Sequence, residues 1–203
     1  YKRQELEKSA VNALLKALEE PPAGTFFLLV THQPGRLLPT VRSRCRVLRF
    51  SALSEAELDE VIRRELPESD ASIRRTAIEA AQGSPGVALS FVEHDLAGIH
   101  HLMLRILHEG DRDYHLRGAL ADEMGARPPR GRQLATLELA RTVVAGELAA
   151  ASRPRQLALI EAHGTLMQIS AQAPTYNFDA GLLVMEIGGL LASAAMPREA
   201  ARP

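Results

Sequence analysis

The stretch NALLKALEEPPAGTFFLLVT, Asn12 to Thr31, changes from a helical pattern to a strand pattern. Its first half continues an amphipathic period that begins at Gln4 and runs to Glu19. Pro21 and Pro22 stop this helix, because proline cannot continue a helix and disfavours helix in the residue before it. TFFLLVT, 25–31, then predicts a strand buried on both faces, as in the middle of a parallel sheet.

Two acidic residues, Glu19 and Glu20, lie at the C-terminal end of the predicted helix. The helix dipole makes acidic side chains unfavourable at that end. We therefore expect a group outside the helix to hold them.

A cluster of arginines follows in LLPTVRSRCRVLRF, 37–50, which places Arg42, Arg44, Arg46 and Arg49 close together. The segment predicts a short helical turn and then a second strand at 45–50. Helix, buried strand, short helix and strand is the order typical of an α/β sheet. Two strands do not make a stable sheet, so we expect its other strands to lie before Tyr1 or to be lost.

The remaining sequence predicts helices only. Ser54 and Glu57 form a capping box, Gly83 is expected to cap a second helix, and Pro85 suits the first turn of a third. These three helices make a small module over 51–96. Five longer helices are predicted beyond it, at 97–109, 112–124, 132–151, 155–172 and 178–195.

Composition bounds the class of protein. A hydrophobic content of 46% excludes wholesale disorder, and the sequence contains no apolar run long enough to predict a membrane span. The single cysteine cannot form an intrachain disulfide, which favours a reducing, cytoplasmic setting. Residues 1–50 carry nine Lys and Arg against four Asp and Glu, whereas the remainder is acidic. This asymmetry favours an anionic partner for the first segment.

Common signatures of enzymes and metal sites are absent from the sequence, including the phosphate loop, HExxH, paired CxxC and GxSxG. His94, His101, His108 and His115 recur every seven residues, but no acidic or cysteine ligands accompany them at metal-ligand spacing. No metal site is predicted. Cys45 is either a thiol activated by neighbouring arginines or a small core residue, and the second interpretation is favoured.

Arg44 has two interpretations, because an unpaired buried arginine is costly. Its guanidinium either pairs with a nearby carboxylate or is held rigidly and presented to an anion such as a phosphate. The composition of the segment leaves both open.

NALLKALEEPPAGTFFLLVT followed by LLPTVRSRCR closely resembles the clamp-loader branch of the AAA+ ATPases, and within it the delta-prime subunits of bacterial DNA polymerase III. The resemblance is closest over residues 9–50, where long runs of sequence match. Beyond residue 50 it rests on the order of the predicted helices. It implies a mainly α fold, in which 1–50 is the end of an AAA+ α/β domain. Residues 51–96 would form a three-helix lid, and 97–203 a five-helix collar for oligomerisation.

The resemblance also implies site residues. Thr31 falls at the sensor-1 position, and Ser43, Arg44 and Cys45 form the family's SRC motif. The arginine of this motif is an arginine finger, which acts in trans on ATP bound by the adjacent subunit. Among the other arginines, Arg42 is the one we expect to touch a partner, while those at 46 and 49 are expected to be solvated or paired supports.

One departure from the family concerns the sensor-2 position, where ATP-hydrolysing relatives carry arginine in GS-x-R-x-A-L. The sequence GSPGVAL is interpreted as placing Val87 there, and valine cannot contact a phosphate. The loss suits delta-prime subunits, which typically hydrolyse no ATP themselves.

The implied function is that of a clamp-loader subunit that binds no cofactor in this segment and acts on ATP of the neighbouring subunit. The implied partners are gamma/tau and delta subunits, through the collar and AAA+ faces, with the sliding clamp and primer-template DNA contacted indirectly. Two alternatives are an ATP-hydrolysing gamma/tau-type subunit and a purely structural helical scaffold. Sequence-specific DNA binding is disfavoured, because no DNA-binding motif is recognisable and 97–203 is not basic.

Overall fold

The computed structural model describes residues 14–31, 34–173 and 178–195. Over these ranges the protein is mainly helical, as predicted, and forms no strand. The chain divides into two compact units, Tyr1–Ser51 and Ala52–Pro203.

The described residues of the first unit contain two α-helical segments and one 3₁₀ turn. Residues 14–19 are helical and form α1, whose predicted beginning at Gln4 lies outside the described residues. A 3₁₀ turn at Pro34–Arg36 precedes α2, Pro39–Arg42. Proline at the first position of α2 is favourable because the missing N–H has no helical partner there.

The strands predicted at 25–31 and 45–50 are not formed, so this prediction is wrong for the structure. Side chains of 25–31 that were expected to be buried are open to solvent, with Phe26 81% and Val30 90% exposed, and Phe50 in the second predicted strand is 93% exposed. A strand exists only through ladder hydrogen bonds to a neighbouring strand. Neither segment pairs with another in the described residues, and a pair of strands alone is marginal in water.

The eight helices predicted beyond residue 51 are all present among the described residues. They are α3 Glu55–Glu65, α4 Ala71–Ala81, α5 Pro85–Glu93, α6 Ala97–Glu109, α7 His115–Met124, α8 Arg130–Glu147, α9 Arg153–Gln172 and α10 Ala180–Ser193.

Local signals fix the starts of these helices. At α3 the Glu57 N–H donates to Ser54 Oγ, and the Ser54 N–H donates to Glu57 Oε2 at 2.8 Å, which confirms the capping box. Pro85 occupies the first turn of α5, as predicted.

The turn after α4 begins one residue earlier than predicted, at Gln82, which has φ 49°. Gly83 follows with φ 84°, and its carbonyl accepts the Leu53 N–H at 2.9 Å. A Cβ on Gly83 would lie 2.5 Å from Ala52 Cβ. Glycine is therefore required both by the backbone angle and by this close approach.

One continuous cluster of buried apolar side chains runs from Leu58 in α3 to Ala194 after α10. Leu96 and Ile99, on either side of the predicted lid–collar boundary, are both buried in it. Helices α4 and α5 also pack against α8. The predicted lid and collar thus share one core.

A buried carboxylate organises the turn between α6 and α7. Asp111 accepts hydrogen bonds from the N–H groups of Leu116 at 2.9 Å and Arg117 at 3.0 Å, and from Arg117 Nε at 2.7 Å. Its side chain has no exposed surface. Burial acts to raise the pKa of Asp111, but the hydrogen bonds from Arg117 and the two amides outweigh it and hold the pKa below its usual value.

Because the pKa of Asp111 is lowered by folding, its contribution to stability is present at neutral pH and is lost as the pH falls below about 4. Asp111→Asn removes the charge facing Arg117 and should lower the free energy of unfolding at neutral pH by about 3 kcal/mol. Its acid-induced loss of stability should also be smaller than that of the unsubstituted protein. Urea unfolding at neutral and acid pH measures both, with Asp122→Asn on the exposed face of α7 as the control. Equal stability of Asp111→Asn and the unsubstituted protein at neutral pH would contradict the prediction.

Candidate functional site

The SRC motif continues the helical turn of α2. Ser43 has near-helical backbone angles, the Arg44 N–H donates to the Val41 carbonyl at 3.1 Å, and the Cys45 N–H donates to the Arg42 carbonyl at 3.3 Å. Val41, in the middle of this turn, is buried. The backbone under the arginine side chain is thus fixed by local hydrogen bonds and by a buried anchor.

The Arg44 guanidinium is held by oxygen atoms from two parts of the first unit. Nη1 donates to the Thr40 carbonyl at 2.9 Å and to Ser43 Oγ at 3.4 Å. Nη2 forms an ion pair with Glu19 Oε1 at the end of α1. The side chain of Arg44 keeps 34% exposure and that of Glu19 keeps 48%.

The ion pair bears on two expectations from the sequence. A group outside α1 does hold Glu19, as expected from the unfavourable position of an acid at a helix C-terminus. Arg44 does pair with a carboxylate of its own chain, which was one of its two interpretations. Glu19 itself had not been assigned to the site, although the helix-dipole argument had singled it out.

The other residues of the predicted site lie on the surface or close to it. Ser43 Oγ donates to the Thr40 carbonyl at 3.1 Å, so Ser43 and Arg44 share this acceptor. Cys45 is a half-buried free thiol, which is less enclosed than the core position that was favoured. Thr31 and Arg42 are exposed. Arg46 and Arg49 are also exposed, as expected for solvated supports.

The sensor-2 assignment needs a correction of one residue. Val87 is 7% exposed within the apolar core, and its N–H donates to Ser84 Oγ, so its side chain faces other helices. Counted from Gly83 along GS-x-R-x-A-L, the arginine position is Gly86. Gly86 is exposed, and a Cβ there would meet nothing within 4 Å. Neither Gly86 nor Val87 supplies the arginine that ATP-hydrolysing relatives carry at sensor 2.

Other kinds of site are not seen in the described part of the chain. It contains no group of three or more histidine, cysteine or acidic side chains able to hold a metal ion. Within the recurring histidines, His108 instead pairs with Glu147 at 3.2 Å. None of the described helices is both long enough and apolar enough to cross a membrane.

Comparison with known proteins gives matches to replication proteins. Residues 2–54 match the family described as DNA polymerase III, delta subunit. The chain is 43% identical over 90 residues to DNA polymerase III subunit delta' of Escherichia coli strain K12, which covers 44% of this chain and 27% of that protein. The subunit delta' of Pseudomonas aeruginosa is 43% identical over 77 residues, covering 38% of this chain and 24% of the relative.

A motor-type subunit is similar as well. DNA polymerase III subunit tau/gamma of Haemophilus influenzae is 36% identical over 97 residues, covering 45% of this chain and 14% of the relative. The chain spans about a quarter of the length of the two delta' relatives. These matches confirm the resemblance to delta-prime clamp-loader subunits that the sequence indicated. The family match lies over 2–54, the part of the chain that carries the SRC motif.

The different burial of Val87 and Gly86 predicts effects of different size for substitutions at these adjacent positions. Val87→Arg buries an unpaired charge and should lower the free energy of unfolding by about 3–5 kcal/mol. Gly86→Arg places its side chain in solvent and should change the free energy of unfolding by no more than about 1 kcal/mol. Replacing glycine in a helix lowers the conformational entropy lost on folding, and this gain offsets the unfavourable cation near the helix N-terminus. Urea unfolding monitored by circular dichroism measures both values. Similar destabilisation by the two variants would contradict the burial of Val87 and the exposure of Gly86.

Proposed function

We propose that this chain is a clamp-loader subunit of delta-prime type, in which Arg44 acts as an arginine finger on ATP bound by a neighbouring subunit. The observation that carries the proposal is the SRC motif at the end of α2, whose fixed turn presents a partly exposed guanidinium. The match of residues 2–54 to the DNA polymerase III family supports it.

The chemistry of phosphoryl transfer explains the choice of residue. Negative charge spreads over the γ-phosphoryl oxygens during the transfer, and a planar, permanently protonated donor stabilises it. In this chain the Thr40 carbonyl and the Ser43 hydroxyl hold Nη1 of Arg44, and so restrict the directions in which the guanidinium can reach. In this proposal the neighbouring subunit hydrolyses the ATP, and this chain supplies the Arg44 guanidinium to that subunit's ATP site.

Assembly would use the collar helices α6–α10. On α9 an apolar stripe of Leu157, Ile160 and Met167 is exposed, with Gly164 between them. The spacing of three and four residues places these positions on one face of the helix. We propose that this stripe packs against gamma/tau or delta subunits in a cytoplasmic loader. The sliding clamp and primer-template DNA would then be engaged through the assembly.

An ATP-hydrolysing gamma/tau-type subunit is the second candidate, because the Haemophilus influenzae tau/gamma protein is also similar to this chain. The exposed sensor-2 position at Gly86 argues against it, since no side chain there can contact a phosphate. ATP hydrolysis by the isolated full-length subunit would favour this candidate over the delta-prime type.

Arg44→Ala tests the finger directly in a reconstituted loader whose other ATP sites are inactivated by substitution of their phosphate-loop lysines. The DNA-stimulated hydrolysis rate at the neighbouring site should fall on the order of 10³-fold, because the transition-state charge loses its partner. Arg44→Lys should not restore the rate, since an ammonium lacks the planar fork.

Arg49→Ala is the matched control, because Arg49 is an exposed arginine in the same unit. It should leave the rate within about twofold, as is usual for an exposed charge. An unchanged rate in Arg44→Ala would instead support the purely structural scaffold.

The stripe on α9 predicts an assembly defect without a folding defect. Leu157→Glu with Ile160→Glu places two charges where an apolar interface is proposed, and should weaken co-assembly with the other loader subunits at least tenfold, that is by about 1.4 kcal/mol or more. Analytical ultracentrifugation of the mixture measures the effect, and circular dichroism verifies the fold. Glu161→Gln, an exposed neighbour on the same helix, is the control. Unchanged assembly would exclude the stripe as an interface.

A further inference from the structure

The ion pair between Arg44 and Glu19 places a negative charge against the proposed finger. The two residues lie 25 positions apart in the sequence and come from different helical segments of the first unit. Arg44 also uses Nη1 on the Thr40 carbonyl, so both terminal nitrogens have acceptors in this chain. In this state the guanidinium is already neutralised by its own subunit.

Such a neutralised guanidinium is poorly suited to act on a triphosphate. The effect of an arginine finger depends on uncompensated positive charge near the γ-phosphoryl oxygens. A carboxylate in contact with the guanidinium cancels much of that field and repels the phosphates. Catalysis therefore requires Glu19 to leave Arg44, and cannot use the pair as it stands.

The ion pair between Arg44 and Glu19 is exposed enough to be broken at little cost in free energy. Both side chains keep a third or more of their surface exposed, so either group can return to water at little cost. A triphosphate carries more negative charge than one carboxylate, so it can compete for Arg44 once a neighbour brings it within reach.

We propose that Glu19 is a resting partner of Arg44, which occupies the finger until the loader binds clamp and DNA and the neighbour's ATP takes its place. The inference rests on the proposed function of Arg44 and adds a regulatory contact to the same site. Glu19 acts through Arg44 and is a positioning residue, since it makes no contact with substrate.

The test measures ATP hydrolysis at the neighbouring site of a reconstituted loader, first without and then with clamp and primed DNA. Glu19→Gln should raise the unstimulated rate roughly two- to fivefold, the range expected for loss of an exposed ion pair. It should leave the stimulated rate within about twofold, so the ratio of the two rates falls. Glu20→Gln, the adjacent exposed glutamate, is the matched control and should change neither rate.

Epistasis separates this proposal from the proposed function. In a chain carrying both Glu19→Gln and Arg44→Ala, the gain in unstimulated rate should disappear, because Glu19 acts only through the arginine. If Arg44→Ala lowers the stimulated rate but Glu19→Gln does not raise the unstimulated one, the resting contact is refuted and the finger stands. If Arg44→Ala has no effect, the finger itself fails and the resting contact with it. A gain that persists in the double variant would also overturn the proposal.

Discussion

The Arg44 guanidinium is paired with oxygen atoms of its own chain, and its proposed role depends on this pairing. The carbonyl of Thr40 and the hydroxyl of Ser43 are local and come with the turn of α2. The carboxylate of Glu19 comes from another segment and is exposed. A fully buried ion pair would be expensive to break, whereas this one is weakened by solvent. The site therefore combines a fixed backbone with an ion pair that solvent weakens, and the proposed transfer of Arg44 to a phosphate needs both features.

The second unit has the opposite character. Its helices share one apolar core, in which Phe91 of α5, Met103 of α6 and Leu139 of α8 have no exposed surface. Moving the predicted lid helices against α8 would expose this core to water, which is unfavourable in proportion to the apolar area exposed. The part of the molecule that resembles lid and collar is thus expected to respond to assembly as one body.

The sequence predicted the helices of the second unit well because their signals are local. The capping box at Ser54, the proline at the start of α5 and the apolar period depend only on residues within a few turns. The strands at 25–31 and 45–50 were predicted wrongly because a strand needs partners distant in sequence, which no local pattern reveals.

At the site, resemblance identified the SRC motif, and the helix dipole marked Glu19 as needing a partner. That this partner is Arg44 depends on the path of the chain between them, which was not predictable. The sensor-2 position was placed one residue too late in the sequence, because the count along the motif from Gly83 gives Gly86. The burial of Val87 and the exposure of Gly86 agree with the corrected count. Motif spacing was enough to locate the position, whereas the burial of Val87 depends on the packing of α5 against other helices and could not be counted from the motif.

The most direct test of the central claim is the structure of the assembled loader with a non-hydrolysable ATP analogue in the subunit beside this chain. The account predicts a terminal nitrogen of Arg44 about 3 Å from a γ-phosphate oxygen of that analogue, with the carboxylate of Glu19 turned to solvent. A guanidinium still bound to Glu19 and remote from every nucleotide would contradict it.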